Sequence, residues 1–288
     1  MKTPRLTQAA ALCFASNLAV LASGARGAET RCPFDESTLS FKGTPLAQAK
    51  CLLRPVLRYG RLGEPLARLP VPLENLIGKP VNVTPAVLGS YLASHHIAET
   101  NIGGAVTNRL AATYFVIHDT STPNYLDQPF PTNINTAAWR YNSLEGWYKR
   151  PVAHAFVNRL GESVAPHAWV NSCRATKLEV RVLGEKSRGL FVHTELVQPR
   201  RRDPQGGPRN DAIGPTPGFT DAQLDRLALL YVAASVQHGT WMVPAFHAAV
   251  DAGIPDAHDD PQNFDLARWA RRLSLLLEAL EKGNAPAH

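Results

Sequence analysis

The spacing of apolar residues along the chain changes in a way that separates strands from helices. Thr113–His118 is a short, β-rich apolar run, the pattern of a buried strand with a histidine at its end. His154–Asn158 leads into Arg159-Leu160-Gly161-Glu162 as a strand and tight turn, with Ser163–Ala165 returning. Gly189–Val197 is a further strand, in which Phe191, His193, Glu195 and Val197 share one face. Thr220 then caps a helix. Gln223 completes a capping box, Leu224, Leu227, Tyr231 and Ala234 recur at helical spacing, and Gly239 supplies the stop. Trp241–Phe246 is apolar and is expected to bring His247 to the surface. A last helix is expected from Phe264 to Glu281, with Leu266, Ala270, Leu273, Leu277 and Leu280 on one face and Gly283 beyond it. Strands alternate with helices, so the class expected is α/β: a mixed central sheet flanked by helices. Residues 29–106 carry many prolines and no strong period. They form an N-terminal extension, with short helices expected at Pro45–Leu53 and Pro85–His95 and loops between them.

Composition changes this picture at the N-terminus. The chain has 288 residues, 44% hydrophobic and 19% charged, ordinary values for a globular protein. A basic start, Met1 to Arg5, precedes an apolar stretch from Ala9 to Ala22 and then small residues through Ala28. Residues 1–28 therefore read as a secretory signal peptide, too short for a membrane anchor, and the expected location is across the inner membrane, in the periplasm. No later run is apolar enough to span a bilayer. In such a compartment Cys32 and Cys51 either close a small loop or, with Cys173, stay reduced and buried. The net charge of +6 suits an anionic polymer. The basic cluster Arg200-Arg201-Arg202 lies in a Pro/Gly-rich stretch without interleaved aromatics, reads as a solvated loop, and points to no nucleic-acid partner. No interface pattern is visible, so a monomer is the default.

The candidate chemistry begins with two histidines far apart in the chain. His118 ends a buried strand, and His247 opens a stretch leading to His258-Asp259-Asp260-Pro261. Two imidazoles and a nearby carboxylate give three ligands, the number a catalytic zinc takes when one position is left for water. Asp260 and His258 both stand open as the third ligand on the residues alone.

The order of the pieces resembles the zinc-dependent type-2 N-acetylmuramoyl-L-alanine amidases, which share a fold with peptidoglycan-recognition proteins. The segments that carry the resemblance are Val116–Thr120, Ala153–Gly161, Val192–Leu196, Phe219–Gln223, and His247 with His258–Pro261. They place the amidase domain at 107–288. The resemblance implies one zinc ion per chain on His118, His247 and Asp260. It implies hydrolysis of the amide between muramic acid and L-alanine, with intact peptidoglycan or soluble muropeptides as the partner. Glu195 would be the general base. Ala153 stands where one branch of the family has a tyrosine, and the glutamate branch fits. His258 occupies the place of a lysine that faces the substrate and would stabilise the oxyanion. His154 matches a position that lines the site in the family. Apart from the resemblance, Trp147 and Tyr148 precede that strand in a loop suited to stacking on sugar rings, and Asp119 is a further substrate-binding candidate. The alternative is a secreted peptidoglycan-binding protein on the same fold without catalysis.

Other hydrolytic plans are excluded by what is missing. The chain has no Gly-x-Ser-x-Gly elbow and no His-Glu-x-x-His. His193-Thr194-Glu195 lacks the Pro-Cys-x-x-Cys of zinc deaminases, and Cys173 lacks the glycine context of a cysteine nucleophile.

Overall fold

The structure is a computed structural model that describes residues 31–150, 152–207 and 212–282. The expected signal peptide and the Gly283 stop lie outside the described residues.

The extension opens with two antiparallel two-residue strands, β1 (Phe34–Asp35) and β2 (Ser40–Phe41). Three helices follow: α1 (Pro45–Leu52), α2 (Val71–Leu76) and α3 (Pro85–Ser94). α1 and α3 lie where the sequence places them, each with proline in its first turn and a threonine cap, Thr44 or Thr84. α2 also has proline in its first turn but lacks a side-chain cap. The disulfide Cys32–Cys51 ties the first strand region to α1.

The main sheet has five strands in the order β5-β4-β6-β3-β9. These are β3 (Tyr114–Asp119), β4 (Ala155–Val157), β5 (Ser163–Val164), β6 (Phe191–Leu196) and β9 (Val243–Phe246). β4, β6, β3 and β9 are parallel, and β5 returns antiparallel beside β4. The mixed sheet flanked by helices is as expected. β3 and β6 are buried on both faces because parallel neighbours with helical crossovers leave neither face to water, so apolar alternation is lost there. The helices outside the extension are α4 (Glu145–Tyr148), α5 (Asp221–His238), α6 (His247–Val250) and α7 (Leu266–Lys282).

α5 starts as its sequence dictates. The Thr220 hydroxyl accepts from Gln223 N–H and the Gln223 side chain accepts from Thr220 N–H. Buried side chains occur all around α5, because it lies between the sheet, α3 and α7. The extension shares this core: Leu52, Leu73 and Leu88 belong to one buried cluster with Phe115, Tyr231 and Trp269. Backbone bonds stitch it down, from Gly78 N–H to Trp241 C=O and from Trp241 N–H to Lys79 C=O.

The stretch read as a solvated basic loop is partly structured. β7 (Arg201–Arg202) pairs antiparallel with β8 (Ala212–Ile213), and Arg200 is buried. Its guanidinium is ion-paired to Asp119 at 2.8 Å, a long-range partner that local composition does not reveal. No helix among the described residues is long and apolar enough to cross a membrane.

Candidate metal centre

Strand register assembles the site. His118 pairs with Glu195 across β3 and β6, and Ile117 pairs with Phe246 across β3 and β9. The residue after Phe246 is His247, so three parallel neighbours deliver His118, Glu195 and His247 side by side at their carboxyl ends. That edge is where open α/β sheets bind ligands. His247 is buried, not at the surface as β9 alone suggested, because α6 and the loop to Asp260 fold over it. Asp260 is held by two backbone bonds: its Oδ2 accepts from Asp119 N–H at 2.9 Å, and its carbonyl accepts from Ala248 N–H at 2.8 Å.

His118, His247 and Asp260 converge as a buried group that can hold a metal ion. His118 Nδ1 lies 2.8 Å from His247 Nδ1 and 4.0 Å from Asp260 Oδ2, and His247 Nδ1 lies 3.0 Å from Asp260 Oδ1. Ligands held tetrahedrally at zinc bond lengths stand about 3.3 Å apart, and the observed separations bracket that value. The donor set, two imidazoles and a carboxylate, suits zinc.

The charges fit a cation as well. Burial, then the neighbouring His247 and His193, hold the His118 pKa well below the usual imidazole value, so His118 is neutral, the form in which an imidazole can bind a cation. For His247 burial opposes charge, but the carboxylates of Asp260 and Asp251 outweigh it and raise the pKa to about 10. Asp260 pays the same burial penalty, which His247 overrides, leaving its carboxyl below the usual range. In the metal-free chain a proton on His247 therefore stands among the ligand atoms, and a metal ion must displace it.

Glu195 faces this group with its side chain 14% exposed and Oε1 4.0 Å from His118 Nδ1. Its Oε2 is buried without a hydrogen-bond partner. Burial, followed by the charge of Asp260, pushes its pKa up to about 8. His258 is 40% exposed and stacks on His247 with ring centroids 4.0 Å apart. Its Nδ1 lies 2.8 Å from Asp251 Oδ2, which also sits 3.0 Å from His247 Nε2. His258 thus groups with His247 and Asp251 rather than with His118. That second group, His247, Asp251 and His258, also brings its ligand atoms within reach of one cation, but its His258 is exposed whereas His118, His247 and Asp260 are all buried.

The remaining expected site residues are placed away from these ligand atoms or are occupied. His154 is fully buried; its Nδ1 accepts from His193 N–H at 3.0 Å and its Nε2 donates to Asn171 C=O at 2.8 Å. Neither ring nitrogen is free for a substrate. Asp119 accepts from Arg200, Ser121 and Gln262 N–H, so both its oxygens are engaged inside the protein. Trp147 is buried against Phe156, with its indole N–H donating to Tyr141 C=O. One edge of Trp147 lines a 230 Å³ cavity with Arg140, Tyr141 and Arg150, none of them a candidate ligand. Beside it, Tyr148 is 58% exposed.

Three residues here carried no expected role: His193, Glu179 and Asp251. His193 was legible only as a face-mate of Glu195. Glu179 lies in an irregular segment, and Asp251 reads as an ordinary polar residue after α6.

No family model matches the chain, and no curated protein matches it. Among solved structures, the crystal structure of a selenomethionine derivative of AmpD resembles it. The TM-score is 0.31 and the identity 19%, over 56% of this chain and 84% of that one. So distant a likeness carries no argument about chemistry. What the fold and the site define is a mixed α/β protein with a candidate metal centre at the carboxyl edge of its parallel strands.

Proposed function

We propose that the chain is a zinc-dependent amide hydrolase that cleaves the bond between N-acetylmuramic acid and L-alanine in peptidoglycan. The observation that carries this is the convergence of His118, His247 and Asp260 beside Glu195, whose Oε2 is buried without a partner. The substrate rests on the sequence resemblance of the five segments to type-2 amidases.

A zinc ion held by those three residues would polarise the amide carbonyl and lower the pKa of a water toward ~7. Glu195, within 4.0 Å of a ligand atom, takes the proton of the attacking water and returns it to the leaving nitrogen of L-alanine. His258 donates through Nδ1 to Asp251, and with both ring nitrogens protonated its Nε2–H would stabilise the negative charge that develops on the carbonyl oxygen. Asp119 acts from behind: its backbone N–H aims Asp260, and its side chain neutralises the buried Arg200. Export to the periplasm agrees with the basic-apolar leader and with the Cys32–Cys51 disulfide, which an oxidising compartment maintains.

The test is digestion of purified sacculi with zinc-loaded protein. Release of stem peptides with a free L-alanine amino terminus, abolished by a chelator, is expected. A zinc-loaded protein that binds sacculi and releases nothing would leave the binding-protein alternative standing.

A further inference from the structure

We propose that Glu179 and His193 form a buried relay that fixes the tautomer and orientation of His118, so that its Nδ1 is the atom offered to the cation. This rests on the metal-centre reading and adds two positioning residues to it.

The chain of atoms begins at Glu179, on a single π-type helical turn, Leu178–Leu183. Its Oε2 accepts from Ala175 N–H, Thr176 N–H and the Thr176 hydroxyl at 3.1, 3.0 and 2.9 Å. His193 Nε2 stands 3.1 Å from the same oxygen. Its approach is oblique: His193 Nε2 and Glu179 Oε1 are both buried without an aligned hydrogen-bond partner. A small rotation of the carboxylate toward the ring satisfies both orphans, and buried polar atoms are strongly driven to such pairing.

Proton placement then follows link by link. A carboxylate only accepts, so His193 Nε2 carries the hydrogen and His193 Nδ1 is a lone pair. His118 Nε2 lies 3.0 Å from that lone pair and must be the donor. His118 Nδ1 is therefore bare and points toward His247 Nδ1, 2.8 Å away. Metal-bound histidines commonly donate their second N–H to a carboxylate or another acceptor, which locks the ring and raises its basicity. Here an imidazole is interposed, and the carboxylate sits one ring further back. His154 completes the support, because its Nδ1 holds the His193 backbone N–H. The turn bearing Glu179 also reaches the other histidine: Leu178 N–H donates to Asp251 Oδ1 at 3.1 Å, and Asp251 backs His247.

The test has two arms. Nitrogen-15 correlation spectra of the metal-free parent should show His118 and His193 both as Nε2–H tautomers. The zinc dissociation constant, from competition with a chromogenic chelator, should rise about 10- to 100-fold in His193→Phe and Glu179→Gln. Metal-free melting of each variant separates lost folding from lost affinity. An Nδ1–H tautomer at either histidine, or folded variants that bind zinc as tightly as the parent, would overturn the relay. A parent that binds no zinc at all would overturn the metal centre instead. The two failures are distinct because the tautomers are read without metal.

Discussion

Replacing Glu195 with glutamine should stabilise the metal-free protein, and by an amount that depends on pH. The carboxyl is pushed from 4.5 to about 8 by burial and by Asp260, and its Oε2 has no partner. The folded state thus holds the proton more tightly than the unfolded chain does. The stability this confers is fully present below the unfolded pKa and is lost as pH rises through the folded value. The swing has a ceiling of about 5 kcal/mol. Neighbouring groups exchange protons and the effective dielectric is high, so about 2–3 kcal/mol is the expected difference. Glutamine fills the same space without that penalty. Denaturant titration with metal chelated should give nearly equal stabilities for parent and Glu195→Gln near pH 4. Above about pH 8.5 the variant should be the more stable. Added zinc should narrow the gap, because a cation favours the carboxylate. A variant no more stable than its parent at the high pH would refute the reasoning that Glu195 is buried against its own charge.

Other expectations follow from the same contacts. Glu195→Gln should retain zinc yet slow release of stem peptide by roughly 10²–10⁴, read in initial rates on sacculi. Asp119→Asn should destabilise the fold by about 3 kcal/mol in denaturant titration, since it removes the nearest carboxylate from buried Arg200. A loss confined to KM would instead make Asp119 a substrate contact. Reducing Cys32–Cys51, which are 19 residues apart, should lower stability by about 3 kcal/mol, seen as a lower melting temperature with reductant.

Much of this architecture is legible in the sequence where one local rule dominates. The Thr220 capping box, the threonine-proline starts of α1 and α3, and the β-rich run ending in His118 are written in neighbouring residues. So is the pairing of Cys32 with Cys51 as one of two options. What stayed hidden depends on contacts between distant segments. His247 looks exposed until α6 and the Asp260 loop cover it. Arg200 looks solvated until Asp119 is found opposite it. Glu179 sits in a turn with no periodicity, and its meaning appears only when β6 brings His193 to it. Register decided the site itself. Parallel pairing of β3 with β6 and β9 sets His118 beside Glu195 and His247, a coincidence of three strands that no single window contains.

The most direct test is metal content by elemental analysis of the purified protein, alongside Asp260→Ala and His258→Ala. About one zinc per chain should be found in the parent and in His258→Ala, with little in Asp260→Ala, because Asp260 and not His258 joins His118 and His247 in the buried group. A parent that takes up no zinc even when it is supplied would contradict the metal centre, and with it the hydrolase.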